Sequence, residues 1–189
     1  KKANGKIADY RKVKMNIVLL EPEIPQNTGN IVRTAAATGS VVHLIKPLGF
    51  DISEKSVKRA GLDYWHYVDI KVYENLEDFL SKNFAGQYTA ENGTFKLNKD
   101  ARLFYASTKA GYRHDEVKFL PDDFVMFGKE TKGLPEELLH ENYDNAFRIP
   151  MIGDIRSLNL ANSVAIVVYE ALRQTDYVGF NEKGHLTKF

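Results

Sequence analysis

The chain has no cysteine in 189 residues, which excludes a disulfide framework and any metal or cluster held by thiolates. It has no apolar run near the roughly 20 residues that span a bilayer, and its N-terminus lacks a signal-peptide core. With no membrane segment and no disulfides, the expected location is cytoplasmic. An excess of one charge is also lacking. Lys and Arg number 26 against 25 Asp and Glu, a net charge of +1, too small to mark a nucleic-acid binder by itself. The five histidines, His43, His66, His114, His140 and His185, are scattered with no His-x-x-x-His pair, so no metal site is expected.

The usual nucleotide loops are missing too. No G-x-G-x-x-G follows any apolar run. The nearest imitation of a phosphate loop, "GKETKGLP", carries Leu134-Pro135 where Lys-Ser/Thr would contact phosphate and magnesium. The run "VVHLIKP" ends in Lys46-Pro47, where a dinucleotide fold would place an acid for the ribose hydroxyls. NAD chemistry and ATP hydrolysis are therefore excluded. No G-x-S-x-G elbow supports a serine nucleophile.

What is present fits one soluble globular domain, with 43% hydrophobic and 27% charged residues. Basic residues are clustered. "KKANGKIADYRKVK" holds six Lys/Arg against one Asp, and "EKSVKRAG" and "STKAGYRH" add more. Residues 1–14 are read as a basic tail, either solvated and flexible or a non-native extension, with Met15 the candidate natural start. Residues 15–177 are read as the domain and 178–189 as a C-terminal tail.

Short, nearly continuous apolar runs, "NIVLL" (16–20), "VVHLI" (41–45), "LFYAS" (103–107), "FVMFG" (124–128) and "AFRIP" (146–150), read as strands buried on both faces. "HYVDIKVY" (66–73) reads as another strand. Between them, a helix capped by Asn27 or Thr28 runs to Thr38 with Gly39 as its stop. "NLEDFLSKNF" and the broad apolar "LNLANSVAIVVYEALRQ" (158–174) are also helical. The alternation predicts an α/β domain with a mostly parallel sheet flanked by helices. The polar stretch 85–101, with Asn92-Gly93 between short alternating segments, reads as a hairpin-like surface excursion.

Three polar, glycine-containing stretches fall at strand ends or helix starts: "NTGNIVRT" (27–34), "FGKETKGLP" (127–135) and "RIPMIGDIRSLNLANSVA" (148–165). Ligands of open α/β sheets bind beyond the carboxyl ends of the strands. Three such loops can close around one small molecule, with glycines allowing close backbone approach.

"NTGNIVR", "FGKETKGLP" and "RSLNLANSVAIVVYE" resemble the three motifs of the SpoU branch of SPOUT methyltransferases. "NIVLLEPEIPQNTGNIVRTAAATG", "AGLDYW" and "FRIPM" are most similar to the small tRNA (cytidine/uridine-34)-2'-O-methyltransferases. The resemblance spans about Met15 to Tyr177. It implies a C-terminal trefoil knot, an exception to the rule against threading. It also implies a homodimer through the C-terminal and first helices, S-adenosyl-L-methionine as methyl donor with no metal, and tRNA as substrate. Carried over, Ala106, Gly128, Ile149, Ser157 and Leu158 hold the cofactor, and Arg33, Asn30, Glu130 and Asn162 serve catalysis.

Arg33 corresponds to the family arginine near the 2'-hydroxyl. Guanidinium stays protonated, so its expected role is positioning of an RNA phosphate, or that of a base only in a special environment. Glu130 is expected to bond backbone or Asn30 across the motifs. Asn159 is read as a helix cap, Asn162 as an organiser of the site, and Tyr169 as an interface residue in preference to a catalytic one. Lys55, Lys58 and Arg59 are expected on RNA phosphates, and Arg156 on RNA or in an ion pair with Asp154 or another acid. Tyr64 and Trp65 are candidates to stack on bases, with the core the expected place of Trp65. Two other readings stand beside this one: an rRNA ribose methyltransferase, and a catalytically silent S-adenosylmethionine-binding, RNA-binding dimer.

Overall fold

Strand β1 (Asn16–Leu20) is buried along its whole length, and its side chains alternate between two cores, as a strand covered on both faces must. Ile17 and Leu19 enter one core and Val18 and Leu20 the other. The computed structural model describes residues 14–53 and 64–188. In the first core, α1 (Pro25–Thr38) and α4 (Leu160–Gln174) cover the sheet through Ile31, Ala35, Val164, Val167 and Val168. In the second, α2 (Leu76–Asn83) and α3 (Glu136–Glu141) supply Phe79, Leu80, Leu138 and Leu139.

The sheet has seven strands, ordered β3-β2-β1-β8-β6-β9-β7, and every pairing in it is parallel. Its further members are β2 (Val41–Ile45), β3 (Ile70–Tyr73), β6 (Leu103–Ala106), β7 (Tyr112–Arg113), β8 (Phe124–Phe127) and β9 (Ala146–Arg148). The expected α/β architecture is therefore the observed one. A parallel sheet sets the carboxyl ends of all its strands on one edge, and β8, β6 and β9 end there side by side.

Local boundaries differ from expectation for physical reasons. The strand expected over 66–73 is confined to Ile70–Tyr73. Strand β2 offers partners only from Val42 onward, and Trp65–Tyr67 instead form a 3-10 turn with Trp65 packed on the first core. Helix α1 starts at Pro25, not after Asn27 or Thr28. Proline suits the first helical position, where its missing N–H is not needed, and both Asn27 and Thr28 are buried within the first turn. Gly39 ends the helix in the left-handed conformation at φ 68°. The two-residue β7 and the short α3 carry no periodicity long enough to read in advance.

The 85–101 excursion is an antiparallel hairpin, β4 (Tyr88–Glu91) and β5 (Thr94–Leu97). Asn92 and Gly93 both take positive φ, 51° and 78°, as a two-residue primed turn requires. The buried amide of Asn142 ties it to the body: its Oδ1 accepts from Leu97 N–H, and its Nδ2 donates to the carbonyls of Phe95 and Leu138. Another buried polar group joins β1 to β2. His43 Nε2 lies 3.0 Å from Asn16 Oδ1, and Nδ1 lies 2.9 Å from the Tyr73 hydroxyl. Asn16 presents its oxygen, since its Nδ2 donates to Asp122. The imidazole is therefore the neutral Nε2–H tautomer. No helix among the described residues is long and apolar enough to cross a membrane.

Candidate functional site

The segment between β1 and α1 and the loop after β8 are neighbours because β1 and β8 pair directly. Their sequences lock together. Lys129 donates to Glu21, and Glu23 accepts from both Thr131 N–H and Oγ1 at 3.0 Å. Glu130 reaches back: Oε2 accepts from Glu23 N–H at 2.8 Å, and Oε1 accepts from Ile24 N–H at 3.2 Å and Asn27 Nδ2 at 3.0 Å. Ile24, the residue before α1, has no side chain to cap the helix. Glu130 thus serves α1 from another loop as the glutamate of a capping box serves its own helix, and its charge meets the positive end of the helix dipole. Burial opposes ionisation, but the bonds from Asn27, Glu23 and Ile24 outweigh it and hold the carboxyl below its ordinary value.

The third loop joins through Asn159. Its Oδ1 caps α4 by accepting from Ala161 and Asn162 N–H, while its Nδ2 donates to Asn27 Oδ1 at 3.0 Å. The amides run in one sense, Asn159 to Asn27 to Glu130, and link the three loops. Beneath them Gly128 leaves β8. A Cβ there would stand 2.0 Å from the Gly133 carbonyl carbon and 2.2 Å from Leu134 N, so only glycine lets the loop fold back on itself. Gly133 closes that turn at φ 69° and donates to the Lys129 carbonyl.

The model of the SpoU rRNA Methylase family matches residues 14–169. The chain belongs to this family. It is 46% identical to a tRNA (cytidine(34)-2'-O)-methyltransferase of Photorhabdus asymbiotica, over 87% of this chain and 96% of that protein. A structure solved to study the 2-OH methylation of C/U34 on tRNA aligns with a TM-score of 0.74 at 41% identity, covering 88% of this chain and 99% of the other. An AdoMet-bound rRNA methyltransferase from Sinorhizobium meliloti aligns at 0.67 and 26% identity, over 86% of this chain and 57% of that longer one.

In this SpoU-family chain, the candidate residues fall into groups. Ala106, Gly128 and Ile149 sit at or just beyond the ends of the adjacent strands β6, β8 and β9. Ser157 and Leu158 lie in the exposed approach to α4. Glu130 joins them, but its amide partner is Asn27 rather than Asn30: the helix turns Asn27 inward, while Asn30 is exposed. Likewise the organising amide of the third loop is Asn159, since Asn162 is exposed and contributes its backbone N–H. Asn27 and Asn159 are the residues that sequence reasoning undervalued. The available signal was an asparagine in the opening turn of each of two helices, where a side chain can reach backbone N–H groups.

Arg33 lies about 120° around α1 from Asn27, exposed, with its guanidinium 5.1 Å from the centroid of the Tyr64 ring. Arg156 is exposed and forms no ion pair among the described residues. Lys55, Lys58 and Arg59 lie outside the described residues. A groove of about 900 Å³ lies elsewhere, between the β4–β5 hairpin and α3. Glu91, Glu136, Glu137 and Glu141 line it with Lys96 as its one lysine or arginine, Glu136 being paired with Lys109 and Glu141 with Lys96, and none of the three family-like loops except the Pro135 end of the second reaches it.

Proposed function

We propose that this chain transfers a methyl group from S-adenosyl-L-methionine to the ribose 2'-hydroxyl of nucleotide 34, cytidine or uridine, of tRNA. The observation that carries the reading is the Asn159–Asn27–Glu130 relay, which fastens the three loops beyond the strand ends into one frame. Identity to wobble-nucleotide methyltransferases over nearly the whole chain supports the substrate.

The loop residues fit the donor. Ala106, Gly128, Ile149 and Leu158 offer small or apolar surfaces and main-chain groups, which suit a nucleoside without a phosphate. The fold-back of the loop leaves no room for a side chain at Gly128. When bound, S-adenosyl-L-methionine supplies a methyl carbon already activated by its sulfonium. The protein's share is alignment of the 2'-oxygen, which is worth roughly 7–11 kcal/mol of a barrier, and passage of the hydroxyl proton to solvent. Arg33 places a fixed positive charge and five donors beside the incoming RNA. Arg156 and the basic 55–59 stretch contribute phosphate contacts. Glu130, Asn27 and Asn159 hold the frame and do not touch the reacting atoms.

The active form is proposed to be a cytoplasmic homodimer in which α1 and α4 meet their counterparts. Ile166 and Tyr169 stand partly exposed on α4, and Ile152, 89% exposed, and Ile155 project from the preceding loop. Exposed apolar groups on this helix and the loop before it suit a second copy. A C-terminal trefoil knot is part of the same reading.

The test is nucleoside mass spectrometry of tRNA lacking this mark after incubation with the protein and S-adenosylmethionine. A new 2'-O-methylcytidine or 2'-O-methyluridine at position 34 is expected. A mark only in rRNA overturns the substrate. Cofactor binding without any mark on either RNA leaves the silent RNA-binding dimer.

A further inference from the structure

We propose that Tyr64 is a positioning residue for Arg33, an aromatic platform that orients the guanidinium while leaving all of its hydrogen-bond donors free for RNA. This inference rests on the reading of Arg33 given above.

Arginines are commonly held in place by carboxylates, as three others are here. Arg102 is paired with Asp123, Arg113 with Asp115 and Arg173 with Glu170. Arg33 differs. Among the described residues it forms no ion pair and no side-chain hydrogen bond, and its one directed contact is the Tyr64 ring, 5.1 Å from the guanidinium carbon. A carboxylate would fix the group by occupying one or two donors and by cancelling its charge, and both are what a phosphate or a ribose oxygen needs. A π face attracts the cation and restrains its tilt without consuming an N–H.

Placement supports the assignment. Tyr64 begins the 3-10 turn whose backbone closes with Tyr67 N–H donating to its carbonyl. The next residue, Trp65, is packed on the first core. The ring therefore rests on an anchored backbone while staying 40% exposed itself. It belongs to neither core cluster, so its role does not lie in packing the interior. Tyr67, 81% exposed with its ring centroid 6.5 Å from that of Tyr64, flanks the platform on the solvent side.

The experiment is a double-mutant cycle on the full chain with a tRNA substrate. It follows kcat, the KM for tRNA and the dissociation constant for S-adenosylmethionine. Tyr64→Leu and Tyr64→Ala are each expected to lower kcat about two- to fivefold, the scale of an exposed cation–π contact, with cofactor affinity unchanged. Tyr64→Phe, which keeps the ring, restores the wild-type value. In an Arg33→Ala background, Tyr64→Leu causes no further loss of the residual turnover. Multiplicative losses in the double variant overturn the platform, as does wild-type kcat in both ring-less variants beside an inactive Arg33→Ala. Full turnover in Arg33→Ala alone overturns the placement of Arg33, and the platform with it.

Discussion

Replacing Glu130 by Gln changes one oxygen to an amino group and almost nothing in shape. The carboxylate accepts three bonds, one on Oε2 from Glu23 N–H and two on Oε1 from Ile24 N–H and Asn27 Nδ2. An amide has one accepting oxygen, so its NH2 must face a donor whichever way it turns. The better orientation keeps the two bonds on the Oε1 side and abandons Glu23. A bond to a charged group contributes about 1.5–3 kcal/mol, and a charge at a helix N-terminus about 0.3–1 kcal/mol. Because water reaches this half-exposed site, the lower ends apply, about 2 kcal/mol in all. For a chain of this size that is a fall in Tm of about 4–8 °C, measured at fixed protein concentration with an unchanged denaturant m-value. Glu130→Ala should lose more, and its loss and that of Asn27→Ala should add to less than their sum, because the two share one bond, while the bond from Asn159 to Asn27 is lost only in the second. The pH dependence has a definite sign. The folded carboxyl titrates below its unfolded value, so its contribution is present above the unfolded pKa and fades as pH falls through the folded one. Glu130→Gln removes that part of the acid loss. A Tm for Glu130→Gln within a degree of wild type would refute the trans-capping argument.

His43 supplies a second acid-sensitive group: burial, then the nearby Lys71 charge, push its pKa down to about 3. Stability should be complete above pH 6.5 and decline as pH falls from there towards 3, since only the unfolded chain takes up the proton; NMR should find an imidazole that does not titrate between pH 5 and 8. Gly128→Ala forces a Cβ into backbone, and calorimetry should find S-adenosylmethionine affinity reduced by tenfold or more along with a lowered Tm; an unaltered affinity would mean the loop is not the cofactor floor. Asn142→Ala removes three bonds to the hairpin and α3, so amide exchange in 88–97 should accelerate while the seven-stranded sheet stays protected. Ile166→Asp should shift sedimentation towards monomer if α4 is the dimer face, and leave it unaltered otherwise.

Much of the architecture is legible in the sequence because it depends on local, periodic features. Apolar runs such as Asn16–Leu20 and Val41–Ile45 mark strands covered on both faces, and their alternation with helical patterns allows only a parallel sheet with helices on either side. Gly39 stops its helix and Asn92-Gly93 turns its hairpin, since both act through backbone conformations set by one or two residues. The family, too, is written in three short motifs. What depends on residues distant in the chain was decided by tertiary structure. That Glu130 meets Asn27 and not Asn30 follows from the face of α1 turned towards the loop after β8, where Glu130 lies 103 residues from Asn27 in sequence. Asn159 becomes the hub because capping α4 occupies only its oxygen, leaving the amide free for α1. The start of α1, the neutral tautomer of His43 and the ring beneath Arg33 were settled in the same way. Hydrogen bonds and cation–π contacts act over only a few ångströms, so a sequence can supply the right groups but only the packed sheet selects which of them meet.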